Sequence, residues 1–144
     1  MSKLDKKIMS IFVVFLLLAS FIMPNITLAA TEEITIEDSA LKEILLQNAD
    51  TNKDGKLSKE EMENLGTISL NADVKNLNGL EYATGLYYIT IDYTGQSYDF
   101  SKLNAKDVNV SISVGQNITK VDLSFLSTFK DLKNVTITEA YAKE

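Results

Sequence analysis

Apolar positions along this chain change texture three times. From Ile8 to Met23 they form a run broken only by Ser10 and Ser20. Between Ile34 and Leu65 they recur at intervals of three and four residues. After Leu65 they alternate with polar residues in short bursts, separated by polar connections. These textures predict, in turn, an apolar leader, amphipathic helix and half-buried strand.

The leader reading rests on the flanks of the run as well as its hydrophobicity. Lys3, Lys6 and Lys7 precede it, Pro24-Asn25 follows, and Thr27-Leu28-Ala29-Ala30 offers the small residues a signal peptidase needs. The run is shorter than the ~20 apolar residues of a spanning helix. Residues 1–30 are therefore expected to be a cleavable signal peptide, with 31–144 secreted or held at the cell surface. No cysteine follows the run, so a lipoprotein anchor is not expected.

In the second texture, Asp38 and Ser39 are N-cap residues, and Leu41, Ile44, Leu45 and Asn48 share helical spacing, which predicts a helix over about Ser39–Gln47. A second helix is expected from Ser58, where Ser58-Lys59-Glu60-Glu61 is a capping box. Met62 and Leu65 form its buried side and Gly66 is its stop. Between them, Asp50 to Glu61 has the spacing of an EF-hand loop. Asp50, Asn52 and Asp54 place oxygens at the first, third and fifth positions. Gly55 permits the sharp turn, Lys56 offers its carbonyl, and Leu57 docks the loop on the core. Ser58 and Glu61 occupy the ninth and twelfth positions. Those six residues (Asp50, Asn52, Asp54, Lys56, Ser58 and Glu61) are the candidate metal ligands. Ca²⁺ is the expected ion, because a hard cation takes six to eight oxygens. On that reading Asp50 and Glu61 matter to stability only when the ion is bound. Asn, Asp, Gly and Lys are also ordinary turn residues, and capping alone accounts for Ser58 and Glu61.

The third texture repeats. Leu65-x-x-Ile68-x-Leu70 returns as Leu86-x-x-Ile89-x-Ile91, then as Val110-x-Ile112, and last as Leu132-x-x-Val135-x-Ile137. Apolar pairs follow three of these bursts: Leu77/Leu80, Phe100/Leu103 and Leu123/Leu126. A period of ~20–29 residues with this spacing predicts leucine-rich repeats, whose units stack to bury a shared core. The expected fold class is thus an α+β repeat architecture. A helical N-terminal cap with an EF-hand-like loop (31–64) would lead into a short, irregular leucine-rich-repeat solenoid of three to four repeats with a parallel sheet (65–144). The competing expectation is a plain β-hairpin protein, since Val108, Val110, Ile112 and Val114 alternate as any half-buried strand does.

Composition narrows the chemistry. The chain has no Cys, His, Trp or Arg. The usual general base near neutral pH, the thiolate nucleophile and the Arg phosphate clamp are all missing. The net charge is −6, and a leader of net +2 leaves −8 for residues 31–144. Such a surface repels phosphate backbones, so nucleic-acid binding is not expected. Without disulfides the domain must stand on its own core.

The segment Ile36–Ile91, above all Lys75-Asn-Leu77-Asn-Gly-Leu80-Glu-Tyr-Ala83-Thr-Gly-Leu86, resembles the start of internalin-like leucine-rich-repeat proteins of Gram-positive bacteria. That resemblance implies a helical cap shielding the first coil, then a concave sheet that binds a protein or a glycan. The chain departs from the pattern in its small number of repeats and in lacking the expected C-terminal Ig-like domain.

Strand alternation sets one row of polar residues facing outward. These are Thr67, Ser69 and Asn71, then Tyr88, Thr90 and Asp92, then Ser111 and Ser113, with Thr136 and Thr138 after them. They form the candidate ligand face, with Tyr88 as its anchor; Tyr82, Tyr87, Tyr93 and Tyr98 would either extend an aromatic patch or enter the core. The expected function is non-enzymatic binding of an extracellular protein or glycan, with adhesion as one form it could take. One rival is a dockerin-like calcium-dependent assembly module, which needs a second loop copy that residues 62–144 do not contain. Another is a carboxylate-based hydrolase, which needs a cleft joining residues such as Asp92 and Asp99.

Overall fold

The structure, a computed structural model, describes residues 32–139, all of which belong to one unit of the chain. The leader over 1–30 lies outside the described residues. Within them, no helix is long and apolar enough to cross a membrane.

Asp38 starts the first helix, α1 (Ser39–Ala49), by accepting the Leu41 N–H on its side chain at 2.9 Å. Leu41, Leu45 and Ala49 form the buried stripe of α1, while Asn48 is exposed and turns its amide back to the Ile44 carbonyl. Ser58 caps α2 (Lys59–Glu63), and both halves of the capping box with Glu61 are made. This helix ends at Asn64 rather than running to Gly66. Gly66 instead makes room for an aromatic ring, since a Cβ there would stand 2.7 Å from the Tyr87 ring.

Four strands follow: β1 (Thr67–Leu70), β2 (Tyr88–Tyr93), β3 (Val108–Val114) and β4 (Leu132–Glu139). They form one sheet in sequence order, with every neighbouring pair parallel. Parallel neighbours need crossover connections, which here are 71–87, 94–107 and 115–131. A hairpin protein is thereby excluded. Ile68, Ile89, Val110 and Val135 stand side by side in one ladder row, and Leu70, Ile91, Ile112 and Ile137 in the next. Their β1 to β3 members are buried together with Val74, Leu80, Leu86, Phe100, Leu103 and Phe125 from the connections. Tyr93, Tyr98, Phe100, Phe125 and Phe129 make an aromatic cluster at one end, with Phe100 stacked on Phe129 at a centroid distance of 4.0 Å.

This architecture corrects the expected fold class. The described residues form two helices and a four-stranded parallel sheet, not a solenoid of three to four leucine-rich repeats behind an EF-hand cap. The connections share one tight turn each, from Leu77 to Leu80, Phe100 to Leu103 and Leu123 to Leu126. They do not share an element. The first holds a 3₁₀ turn over Leu80–Tyr82, the second holds no helical element, and the third holds a longer 3₁₀ turn over Ser124–Thr128. The β3–β4 ladder slips in register at Val108/Asn109. The cap is uneven too: α2 has only 5 residues against 11 in α1. The periodic spacing of apolar residues is what parallel strands and tight turns require, and that requirement does not define an equal repeated unit.

Asp38 joins the two parts of the fold. Besides capping α1, its second carboxylate oxygen accepts the N–H groups of Lys75 and Asn76 at 2.8 and 3.0 Å. Partial burial works to raise its pKa, but these backbone hydrogen bonds outweigh it and hold the carboxyl below its usual value. Asp38→Ala should cost about 2 kcal/mol, a cap plus the long-range tie. Asp38→Asn should lose roughly half of that, because an amide has one acceptor oxygen for three donors. Denaturant unfolding of residues 31–144 reads both values.

Candidate functional site

Two groups of residues stand out in the sequence, and the structure treats them differently. The first is the loop from Asp50 to Glu61. Asp50 accepts the N–H groups of Asp54 and Gly55 at 3.2 and 2.9 Å; Asn52 accepts that of Asp54 at 2.8 Å, and Asp54 that of Lys56 at 2.9 Å. Lys53 and Gly55 take positive φ, 61° and 78°, so the chain folds tightly over these oxygens. Ile34 donates to the Leu57 carbonyl at 2.8 Å and Leu57 is buried, which seats the far end of the loop.

Glu61 closes the loop from inside. One carboxylate oxygen accepts Thr51 N–H at 3.1 Å and the Thr51 hydroxyl at 3.2 Å, and the other accepts Ser58 N–H at 3.0 Å and the Ser58 hydroxyl at 2.7 Å. The Ser58 N–H first, and its hydroxyl next, bring the Glu61 carboxyl down to about 2 from a usual 4.5, against the opposing effect of burial. These hydrogen bonds tie Glu61 to both ends of the loop. The same contacts give Glu61 hydrogen-bond partners in addition to its expected place as a calcium ligand. The donors of the loop are all hard oxygens, which suits Ca²⁺ in chemistry. Among the described residues, however, no group of three or more His, Cys, Asp or Glu is gathered as a metal site.

The second group is the polar face of the sheet, where the register aligns side chains from different strands. Thr67, Tyr88, Asn109 and Asn134 form one row; Ser69, Thr90, Ser111 and Thr136 form the next; Asp92, Ser113 and Thr138 form the third. Asn71 falls just beyond β1 and outside these rows. Its side chain accepts the Asp73 N–H and its carbonyl accepts the Tyr98 hydroxyl at 2.8 Å. Asn109 and Asn134, absent from the face expected from sequence, are linked by an amide hydrogen bond of 2.8 Å. Their place in the alternation with Ser111 and Thr136 was the available signal.

The tyrosines divide sharply. Tyr93 and Tyr98 are core, and the Tyr98 hydroxyl is pushed above its usual pKa by burial. Tyr82, Tyr87 and Tyr88 are exposed, with Tyr87 the most open at 56 % and Tyr88 at 40 %. Tyr88 opens β2 and stands in the first polar row, whereas Tyr87, the residue before it, lies over Gly66. Neither of the two best-formed clefts includes a residue of these rows. The smaller, about 180 Å³, is lined by Asp99 and Lys102 among others but not by Asp92, so it does not join the pair a carboxylate hydrolase would need. The larger, about 370 Å³, is lined by Glu32, Glu33, Glu37 and Glu81. Among the described residues, no buried side-chain nitrogen or oxygen lacks a hydrogen-bond partner.

No protein-family model matches the chain, and no curated protein matches it as a relative.

Proposed function

We propose that the protein is a non-enzymatic binding protein acting outside the cell, and that it takes a glycan or an extended peptide on the polar face of its sheet. The observation that carries this reading is the alignment of three hydroxyl- and amide-bearing rows, the first of which contains exposed Tyr88. Hydroxyl groups donate and accept at once, so the rows match sugar hydroxyls without a fixed polarity. Tyrosine presents a rigid apolar face with a polar tip, which suits the flat side of a pyranose ring. Of the two ligand classes, the composition of the face favours the glycan. The absence of His, Cys and Arg from the chain argues for binding over catalysis. The charged leader, its apolar run and its small-residue site support secretion. The resemblance of Ile36–Ile91 to the opening of internalin-like proteins supports the same surface role.

The reading includes one calcium ion. Asp50, Asn52, Asp54, Ser58, Glu61 and the Lys56 carbonyl would hold it, and its charge would offset the acidity gathered in this loop. Its part is to stiffen the loop.

The test is a chemical-shift titration of residues 31–144 with soluble cell-wall and host glycans and with extended peptides. Binding should move the amides of Tyr88, Thr90 and Ser111 together. Tyr88→Ala should weaken it about tenfold or more, since aromatic anchors carry a disproportionate share of affinity. The same change should leave stability within about 0.5 kcal/mol, as expected of an exposed side chain. A large loss of stability, or shifts confined to the helices, would overturn the assignment of this face.

A further inference from the structure

The two edges of the sheet are finished differently. At the β1 edge, α1 packs against the strand. At the β4 edge, nothing among the described residues covers the strand. Val135 and Ile137 occupy the same ladder rows as buried Val110 and Ile112, yet they are 38 % and 52 % exposed. Residues 133–139 of β4 are all open to solvent. An open strand edge beside exposed core-type residues is a template for another strand.

We propose that β4 pairs antiparallel with β4 of a second copy, with Thr136 on the two-fold axis. The strand is complementary to its own reverse at that register. Thr136 faces Thr136, Val135 faces Ile137 of the second copy, Asn134 faces Thr138, and Lys133 faces Glu139. Directly opposed residues of an antiparallel pair project to the same side of the sheet. The apolar residues of both copies therefore meet in one patch, flanked at each end by an ion pair. Neighbouring registers lose this match. A shift of two residues one way sets Glu139 against Asp131 of the second copy, and the other way sets Glu139 against Val135. A one-residue shift puts the two apolar rows on opposite faces. Among the described residues Lys133 pairs with Asp107, at 3.7 Å and with both side chains open to water, a contact of the weak surface class.

A contact that uses the same patch on both copies closes at two and does not grow into a fibre. It also lengthens the polar face, because Asn134, Thr136 and Thr138 continue into the same residues of the second copy. The inference stands independently of which ligand that face takes. A single pair of strands is a small contact, so the association is expected to be weak.

Sedimentation velocity of residues 31–144 tests it; the core residues run from Ile36 to Phe125 and so lie wholly within this segment. From roughly 10 to roughly 500 μM the parent should pass from monomer to dimer and stop there. Lys133→Glu sets like charges opposite one another twice per dimer, and Glu139→Lys does the same. Each should weaken dimerisation about tenfold or more, and the double variant Lys133→Glu/Glu139→Lys should restore it to within about threefold. Melting curves of the three variants should match the parent at low concentration, since both positions are exposed. A monomer throughout the range overturns the proposal. So does assembly that continues past the dimer, or single variants that associate as the double variant does.

Discussion

Phe100→Ala is expected to cost about 4 kcal/mol, the largest effect of any single truncation outside the helices. Phe100 is 1 % exposed and touches three other aromatic rings: Phe129 in a stack, Phe125 tilted, and Tyr98 edge-on. Its N–H also donates to the Thr128 hydroxyl at 2.9 Å, so its position fixes the third connection as well as the second. Truncation opens a cavity that Phe129 and Phe125 cannot both fill, and the cost has a transfer part and a cavity part. For a domain of this size the melting temperature should fall by about 15 °C. Phe100→Leu should recover more than half of the loss, because it keeps most of the apolar volume. A fall under about 1 kcal/mol for the alanine variant would show that the cluster is not close-packed.

The second large effect belongs to Glu61. In the presence of a chelator, Glu61→Ala should destabilise by about 3 kcal/mol, because it leaves the N–H groups of Thr51 and Ser58 without their charged acceptor. The acid limb of stability gives a separate reading. A carboxyl at about 2 in the folded chain and about 4.5 in the unfolded chain contributes stability that is present above pH 4.5 and lost as pH falls toward 2. Glu61→Gln should therefore melt at a pH-independent offset below the parent above pH 4.5, with the gap closing between 4.5 and 2. Asp38, Asp99 and Asp122 also have lowered values and contribute to both curves alike, so the difference isolates Glu61. Calcium added at millimolar concentration should raise the melting temperature of the parent and leave Glu61→Gln unmoved. If calcium moves neither, the ion is removed from the proposed function and the hydrogen-bonded role of Glu61 stands.

These two residues show how far local sequence reaches. Ser58 and Glu61 announce a capping box, and the structure makes it. The same spacing also announces an EF-hand loop, and sequence alone does not say which role Glu61 plays without an ion. Its contact with Thr51, ten residues earlier, arises only when the loop closes. Asp38 is similar: capping Leu41 follows from its place before a helix, but the bonds to Lys75 and Asn76 arise only when the first connection folds back over α1. Among the tyrosines, Tyr93 and Tyr87 carry the same side chain and differ only in whether the aromatic cluster or solvent lies above them.

Local chemistry, then, was settled by sequence alone: where helices start, which positions alternate, which reactive side chains are absent, and that −8 of charge falls on residues 31–144. These follow from neighbours within about four residues, the reach of caps, turns and strand alternation. Tertiary structure decided what those features face. Apolar rows at even spacing suit stacked repeats and a plain parallel sheet equally well; unlike connections and the slipped β3–β4 ladder separate the two. Val110 and Val135 share one pattern and one ladder row, yet one is core and the other is surface. Burial is a property of what packs on a residue from elsewhere in the chain, and for β4 no such layer is present among the described residues.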